Sequence, residues 1–192
     1  SSGKYEPVPI FLTGSDSKHE LYLLPIHVML KDNADDIRAK VKNGRKIHEI
    51  ITQIRQECEP ITKKYTSQPP LFESKKINYE ELAKQVDFVF IALHGRPGED
   101  GSLQQELNKV GIPFNGSEVQ SSTITINKYE TNEILMQNGI SVAPHYLVKK
   151  EDWKADKSTV ITKIEKSMKY PLICKPTDDG CSSAVKKIRN RK

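Results

Sequence analysis

The chain has 192 residues, 36% hydrophobic and 29% charged, which speaks against disorder and allows one ordinary core or two small ones. No apolar run approaches the roughly 20 residues that a spanning helix needs, and the N-terminus has no basic segment followed by an apolar one, so a cytoplasmic location with no membrane partner is expected. The net charge of +5 comes from Lys and Arg scattered among acids rather than clustered with aromatics, which argues against nucleic acid and suits small anionic ligands held by a few lysines.

Residues 5–12 read as a strand with an irregular, proline-bearing start, and 13–18 as a turn. The apolar stretch 21–30 carries Pro25, which predicts a strand, a bend and a further strand rather than one helix. From Asn33 the period changes. Asn33 or Asp35 can cap a helix in which Ile37, Val41, Ile47, Ile50, Ile51, Ile54 and Cys58 recur at helical spacing, with Gly44 as an interruption and Pro60 as the stop. Residues 60–76 form a loop, and Tyr79 to Lys84 a short helix.

Phe88 to Leu93 is an apolar run without alternation, closed by glycines, as expected of a strand buried on both faces in a parallel sheet. The loop beyond it holds His94, Arg96, Glu99 and Asp100 among three glycines, at the edge where open α/β sheets bind ligands. Ser102 and Gln105 match a capping box for a helix with Leu103, Leu107 and Val110 on one face and Gly111 just past its end. Residues 112–117 predict a short strand and turn, and the first domain ends near residue 118.

Lys128 opens the next helix, with Ile134 and Leu135 on its apolar face and Asn138-Gly139 at its close. Residues 140–148 are extended, 149–168 partly helical, and 170–174 with 184–188 a hairpin around Lys175-Pro-Thr-Asp-Asp-Gly-Cys-Ser-Ser183. Cys58, Cys174 and Cys181 are odd in number and lack metal-type spacing, which fits a reducing compartment.

Three features could carry chemistry. Lys175 precedes small residues whose backbone N–H groups can approach phosphate oxygens, although a Gly- and Ser-rich hairpin loop is usually only a turn and no Walker or Gly-x-Gly-x-x-Gly pattern is present. His94 with Glu99 and Asp100 sits at the ligand edge, but a third or fourth metal ligand at comparable spacing is not evident. Lys128 at a helix start opposes the helix dipole unless an anion lies nearby.

Taken together, His94-Gly-Arg-Pro-Gly-Glu-Asp-Gly-Ser-Leu-Gln104, Gly111-Ile-Pro-Phe-Asn-Gly-Ser117, Asn127-Lys128, Gly139-Ile-Ser-Val-Ala-Pro144, Pro171-Leu-Ile-Cys-Lys-Pro176 and Gly180-Cys-Ser-Ser183 strongly resemble D-alanine:D-alanine ligase, of the ATP-grasp superfamily. The resemblance covers roughly residues 87–188. It implies an α/β fold: a Rossmann-like N-terminal domain with a parallel sheet over residues 1–118 and part of the α+β central ATP-grasp domain over 119–192. It also implies an ADP-forming ligation in which ATP phosphorylates one D-alanine and the amine of a second attacks the acylphosphate, giving the dipeptide of peptidoglycan precursors.

By the same resemblance, Lys128 and Lys175 contact ATP phosphates, and Gly180, Ser182 and Ser183 close over them through backbone N–H groups. Cys181 and Ser182 fall at the catalytic positions of that loop. His94 lies beside the first D-alanine, Glu99 supports that subsite, and Mg2+ bridges the phosphates. Relatives are commonly dimers through the N-terminal domain.

The chain departs from the pattern at Cys181, where the family has serine, at Ala184, where it has glycine, and at Asn127, where it has an acid. The family's first strand and glycine-rich turn, its adenine-binding strand and its C-terminal metal ligands find no match, so these residues are expected to be a fragment that is inactive alone, with no metal ligand of its own. Two alternatives follow from the departures: a non-catalytic nucleotide-binding ATP-grasp module, or a carboxylate-amine ligase with another substrate.

Overall fold

The computed structural model describes residues 3–15, 18–44, 47–65, 71–178 and 184–191. The chain divides into two compact units, one of residues 1–88 with 110–112 and the other of 89–109 with 113–192.

The first unit is built on a three-stranded antiparallel sheet in the order β1 (Ile10–Ser15), β2 (Lys18–Leu23), β3 (Lys75–Ile77). Ile10 faces Leu23 across the first pair and Leu21 faces Ile77 across the second, which places Leu21 and Ile77 in the core with Leu24, Ile37 and Leu82. The first strand starts later than its sequence suggests because Pro7 and Pro9 lack the N–H a ladder requires.

Pro25 does not bend the chain into a further strand. It sits at the N-cap of helix α1 (Ile26–Lys31) with φ of −61°, a position where a missing N–H costs nothing. Asn33 caps α2 (Ala34–Asn43) in a reciprocal box with Asp36, and Gly44, at φ +64°, ends it. Pro60 was expected to stop the following helix, yet α3 runs from Glu49 to Tyr65 with Pro60 inside it. A proline removes one backbone bond from a helix, and the 17-residue α3 continues past that local loss. A second capping box, Asn78 with Glu81, starts α4 (Tyr79–Ala83).

The run Phe88 to Leu93, which enters the second unit at Val89, forms a single parallel bridge, Val89 to Phe114, among the described residues. Its burial on both faces is not observed: Phe90 is 74% exposed and Phe88 52%. Asn115 extends the pairing by side chain, accepting from the Ile91 amide at 2.5 Å and donating to the Ile91 carbonyl at 3.3 Å.

Helix α5 (Ser102–Lys109) buries Leu103, Leu107 and Gln104. Ser102 is its first residue rather than its cap, and the Asp100 Oδ1 accepts from both the amide and the hydroxyl of Ser102. Gly111 follows with φ of +72°, as its place past the helix end predicts. Helix α6 (Val119–Ile126) has no strong amphipathic pattern and was not legible from spacing, while α7 (Lys128–Gln137) begins and ends where the sequence indicates. The charged stretch forms α8 (Lys150–Ala155) and α9 (Lys157–Ser167), and β4 (Leu172–Cys174) pairs antiparallel with β5 (Lys186–Ile188). No helix among the described residues is long and apolar enough to cross a membrane.

Candidate functional site

The loop after Leu93 is shaped by its own backbone and acids. Gly95 takes φ of +68°, the Glu99 amide donates to the Gly95 carbonyl at 2.8 Å, and the Glu99 carboxylate accepts the Gly95 amide at 2.9 Å. A carboxylate that closes its loop in this way is held in one orientation. The other Glu99 oxygen lies 3.8 Å from His94 Nδ1, so the two residues expected to act together do lie together. His94 itself is 87% exposed and can meet a ligand from solvent.

Glu99 also borders a cleft of about 350 Å³ whose walls include Leu93, Gly98, Gln104, Asn115, Ser122 and Thr125. That volume suits a small polar molecule. His94, Lys128 and Lys175 are not among its lining residues. Gln104 is buried, donates through Nε2 to the Gly98 carbonyl at 2.8 Å, and leaves its Oε1 without a partner. Gly98 admits no side chain, since a Cβ there would come within 2.5 Å of Leu93 Cβ.

Asn127 caps α7 by accepting the amides of Tyr129 and Glu130. The first helical residue is therefore Lys128, whose amide donates to the Thr177 carbonyl at 2.7 Å and whose ammonium reaches the same oxygen at 3.5 Å. Thr177 follows Lys175 by two residues. The strand end that carries Lys175 is thus brought to the helix start that carries Lys128.

Arg96 ties the remaining loop to this pair. Its guanidinium lies 3.2 Å from Asp178 and 3.6 Å from Asp100. Three stretches far apart in sequence consequently meet within one unit: the His94 loop, the N-terminus of α7 and the segment after β4. Gly180, Cys181, Ser182 and Ser183 lie outside the described residues.

Gln104, Asn115 and Asp178 lie within stretches quoted above, but the sequence gives none of them an individual role. An amide that bonds to a neighbouring strand and one whose polarity is buried look alike in sequence, and nothing in their spacing separates them from surface residues.

The family model described as D-ala D-ala ligase N-terminus matches residues 1–117, and the one described as D-ala D-ala ligase C-terminus matches residues 134–192. The chain belongs to the D-alanine:D-alanine ligase family. A ligase of that name from Treponema denticola is 29% identical over 183 residues, 92% of this chain and 47% of the relative. Another, from Natranaerobius thermophilus, is 37% identical over 122 residues, 62% of this chain and 33% of the relative. The crystal structure of the D-alanine-D-alanine ligase from Helicobacter pylori has a TM-score of 0.54 at 20% identity, covering 90% of this chain and 46% of that one, a likeness of fold.

This chain therefore has the mixed α/β architecture of an ATP-grasp ligase, and it spans a third to a half of the length of the curated relatives it matches. The side chain of Asn127, where the resemblance leads one to expect an acid, is engaged in capping α7. Ala184, where the resemblance leads one to expect glycine, takes φ of +52°, a conformation that glycine adopts without strain.

Proposed function

We propose that this protein is an ATP-dependent, ADP-forming ligase that joins two D-alanine molecules for peptidoglycan precursor synthesis. The observation that carries the reading is the meeting of the His94 loop, Lys128 and the Lys175 segment in one unit, through the Arg96–Asp178 and Lys128–Thr177 contacts. A transferring phosphoryl group needs cations placed before it arrives, and Lys128 at a helix start with Lys175 at a strand end supplies two.

In this reading an oxygen of the first D-alanine carboxylate attacks the γ-phosphorus of ATP, and the bond to ADP breaks. The amine of the second D-alanine then attacks the acyl carbon, loses a proton, and phosphate leaves with the bonding electrons. Lys128 and Lys175 neutralise the phosphates, while His94 and Glu99 hold the first D-alanine at the mouth of the cleft. Ser182, with Cys181 at the family's serine position, belongs to the loop that covers the phosphates.

Magnesium, which the family likeness implies, is not matched by the residues in hand. Among the described residues there is no group of three or more His, Cys, Asp or Glu able to hold a metal ion. No step is assigned to it.

The N-terminal domain in this reading ends near residue 118, and the protein acts in the cytoplasm. Homodimerisation through the N-terminal domain belongs to the same proposal, supported by the exposed apolar residues Met29 and Leu30 on α1 and Ile50, Ile54 and Ile61 on α3.

The test is ADP release by the full-length natural product with D-alanine, L-alanine or no amino acid. Release that depends on D-alanine and falls at least tenfold in Lys128→Ala and Lys175→Ala supports the ligase. Release that requires another acid overturns the substrate. ATP binding without any release leaves the nucleotide-binding module as the function.

A further inference from the structure

We propose that Arg96 and Asp178 are positioning residues: their ion pair is a salt-sensitive strap that holds the segment after Lys175 against the N-terminus of α7. Asp178 stands 82 residues beyond Arg96, and the 3.2 Å contact joins the His94 loop to the Lys175 segment. Arg96 is anchored from behind by Asp100, whose side chain is only 7% exposed and is fixed by the Ser102 amide and hydroxyl. The cation is therefore held at the start of α5, and its partner Asp178 is 57% exposed on the segment after β4.

One residue before Asp178, Thr177 accepts the Lys128 amide. The first N–H groups of a helix have no partner within the helix, so protection of the Lys128 amide depends on Thr177 staying in place. Pulling Asp178 away from Arg96 removes the neighbouring tether and exposes that amide. Lys128 and Lys175 then lose their fixed separation, which places the strap upstream of phosphate binding. This last consequence rests on the ligase reading. The strap itself does not.

Hydrogen exchange at the Lys128 amide reads the strap without any ligand, with the Thr131 amide, bonded to the Asn127 carbonyl at 2.9 Å, as the reference within the same helix. In Asp178→Asn and Arg96→Gln the Lys128 amide should exchange about two- to fivefold faster, the range of an exposed ion pair, with Thr131 unchanged. Arg96→Lys should restore most of the protection. Raising salt to about 1 M should speed Lys128 exchange in the wild type and leave both variants where they are.

ATP affinity of the full-length natural product forms the second arm, with a two- to fivefold loss in Arg96→Gln recovered in Arg96→Lys. Unchanged exchange at Lys128 in both variants overturns the strap, and so does parallel acceleration at Thr131, which marks general loosening. Tighter ATP binding in Asp178→Asn with unaltered exchange also overturns it, making Asp178 a local charge only. A full-length natural product that binds no ATP counts against the nucleotide reading, and the exchange arm still decides the strap.

Discussion

The Lys128 amide and the Thr177 carbonyl, 49 residues apart, meet at 2.7 Å. That bond satisfies a helix-start N–H that no carbonyl of its own helix can reach, and it brings two lysines expected to face phosphate into one neighbourhood. It depends on α7 beginning at Lys128 and not one residue earlier or later, and this start is set by Asn127.

Replacing Asn127 should therefore separate capping from charge. Asn127→Ala removes the acceptor for the Tyr129 and Glu130 amides and should cost about 1 kcal/mol in denaturant unfolding. Asn127→Asp keeps the acceptor and adds a negative charge at the helix N-terminus, so its stability should equal or slightly exceed that of the wild type.

Gly101 has φ of +89°, and a Cβ there would lie 2.7 Å from Thr123 Oγ1 and 2.8 Å from the Val119 carbonyl oxygen. Gly101→Ala combines a strained backbone with a backbone clash. It should destabilise the chain by at least about 2 kcal/mol, measured as a fall in the denaturant midpoint.

Ala184 presents the opposite case, a side chain in the left-handed region at φ +52°. Ala184→Gly relieves the conflict between Cβ and backbone, and the gain outweighs the extra freedom of glycine in the unfolded chain. A stabilisation of about 0.5–1 kcal/mol is expected, read as a raised denaturant midpoint.

The cap of α9 carries a pH signature. Hydrogen bonds from the Thr159 hydroxyl and amide hold the Asp156 carboxyl below the usual aspartate range. A depressed folded-state value means that the stabilisation is present above the ordinary aspartate range and is lost as pH falls through the folded value. Asp156→Asn, which still caps but does not titrate, should flatten the part of the acid unfolding curve that this residue contributes. An identical curve in wild type and variant would refute the assignment.

Local signals carried much of the fold. Asn33 before a helical period, Gly111 past the end of α5, Lys128 at the start of α7 and the hairpin flanking Lys175 all depend on neighbours a few residues away, and each appears in place. Pro25 and Pro60 misled because a proline tolerates both a helix start and, at the cost of one bond, a helix interior. The run Phe88 to Leu93 misled for another reason: an apolar run records what a segment is suited to bury, and Phe90 is nonetheless 74% exposed.

For the site, the resemblance to the family rests on several stretches taken together, from His94–Gln104 to Gly180–Ser183, each of which is local in sequence. Their mutual placement was not available from sequence order. Asp178 meeting Arg96, Thr177 meeting Lys128 and Asn115 meeting Ile91 are contacts across 82, 49 and 24 residues, and no local rule of chain geometry specifies them. Only the packing of the unit brings such groups within hydrogen-bond reach, since distance in space, unlike periodicity, is a property of the whole fold.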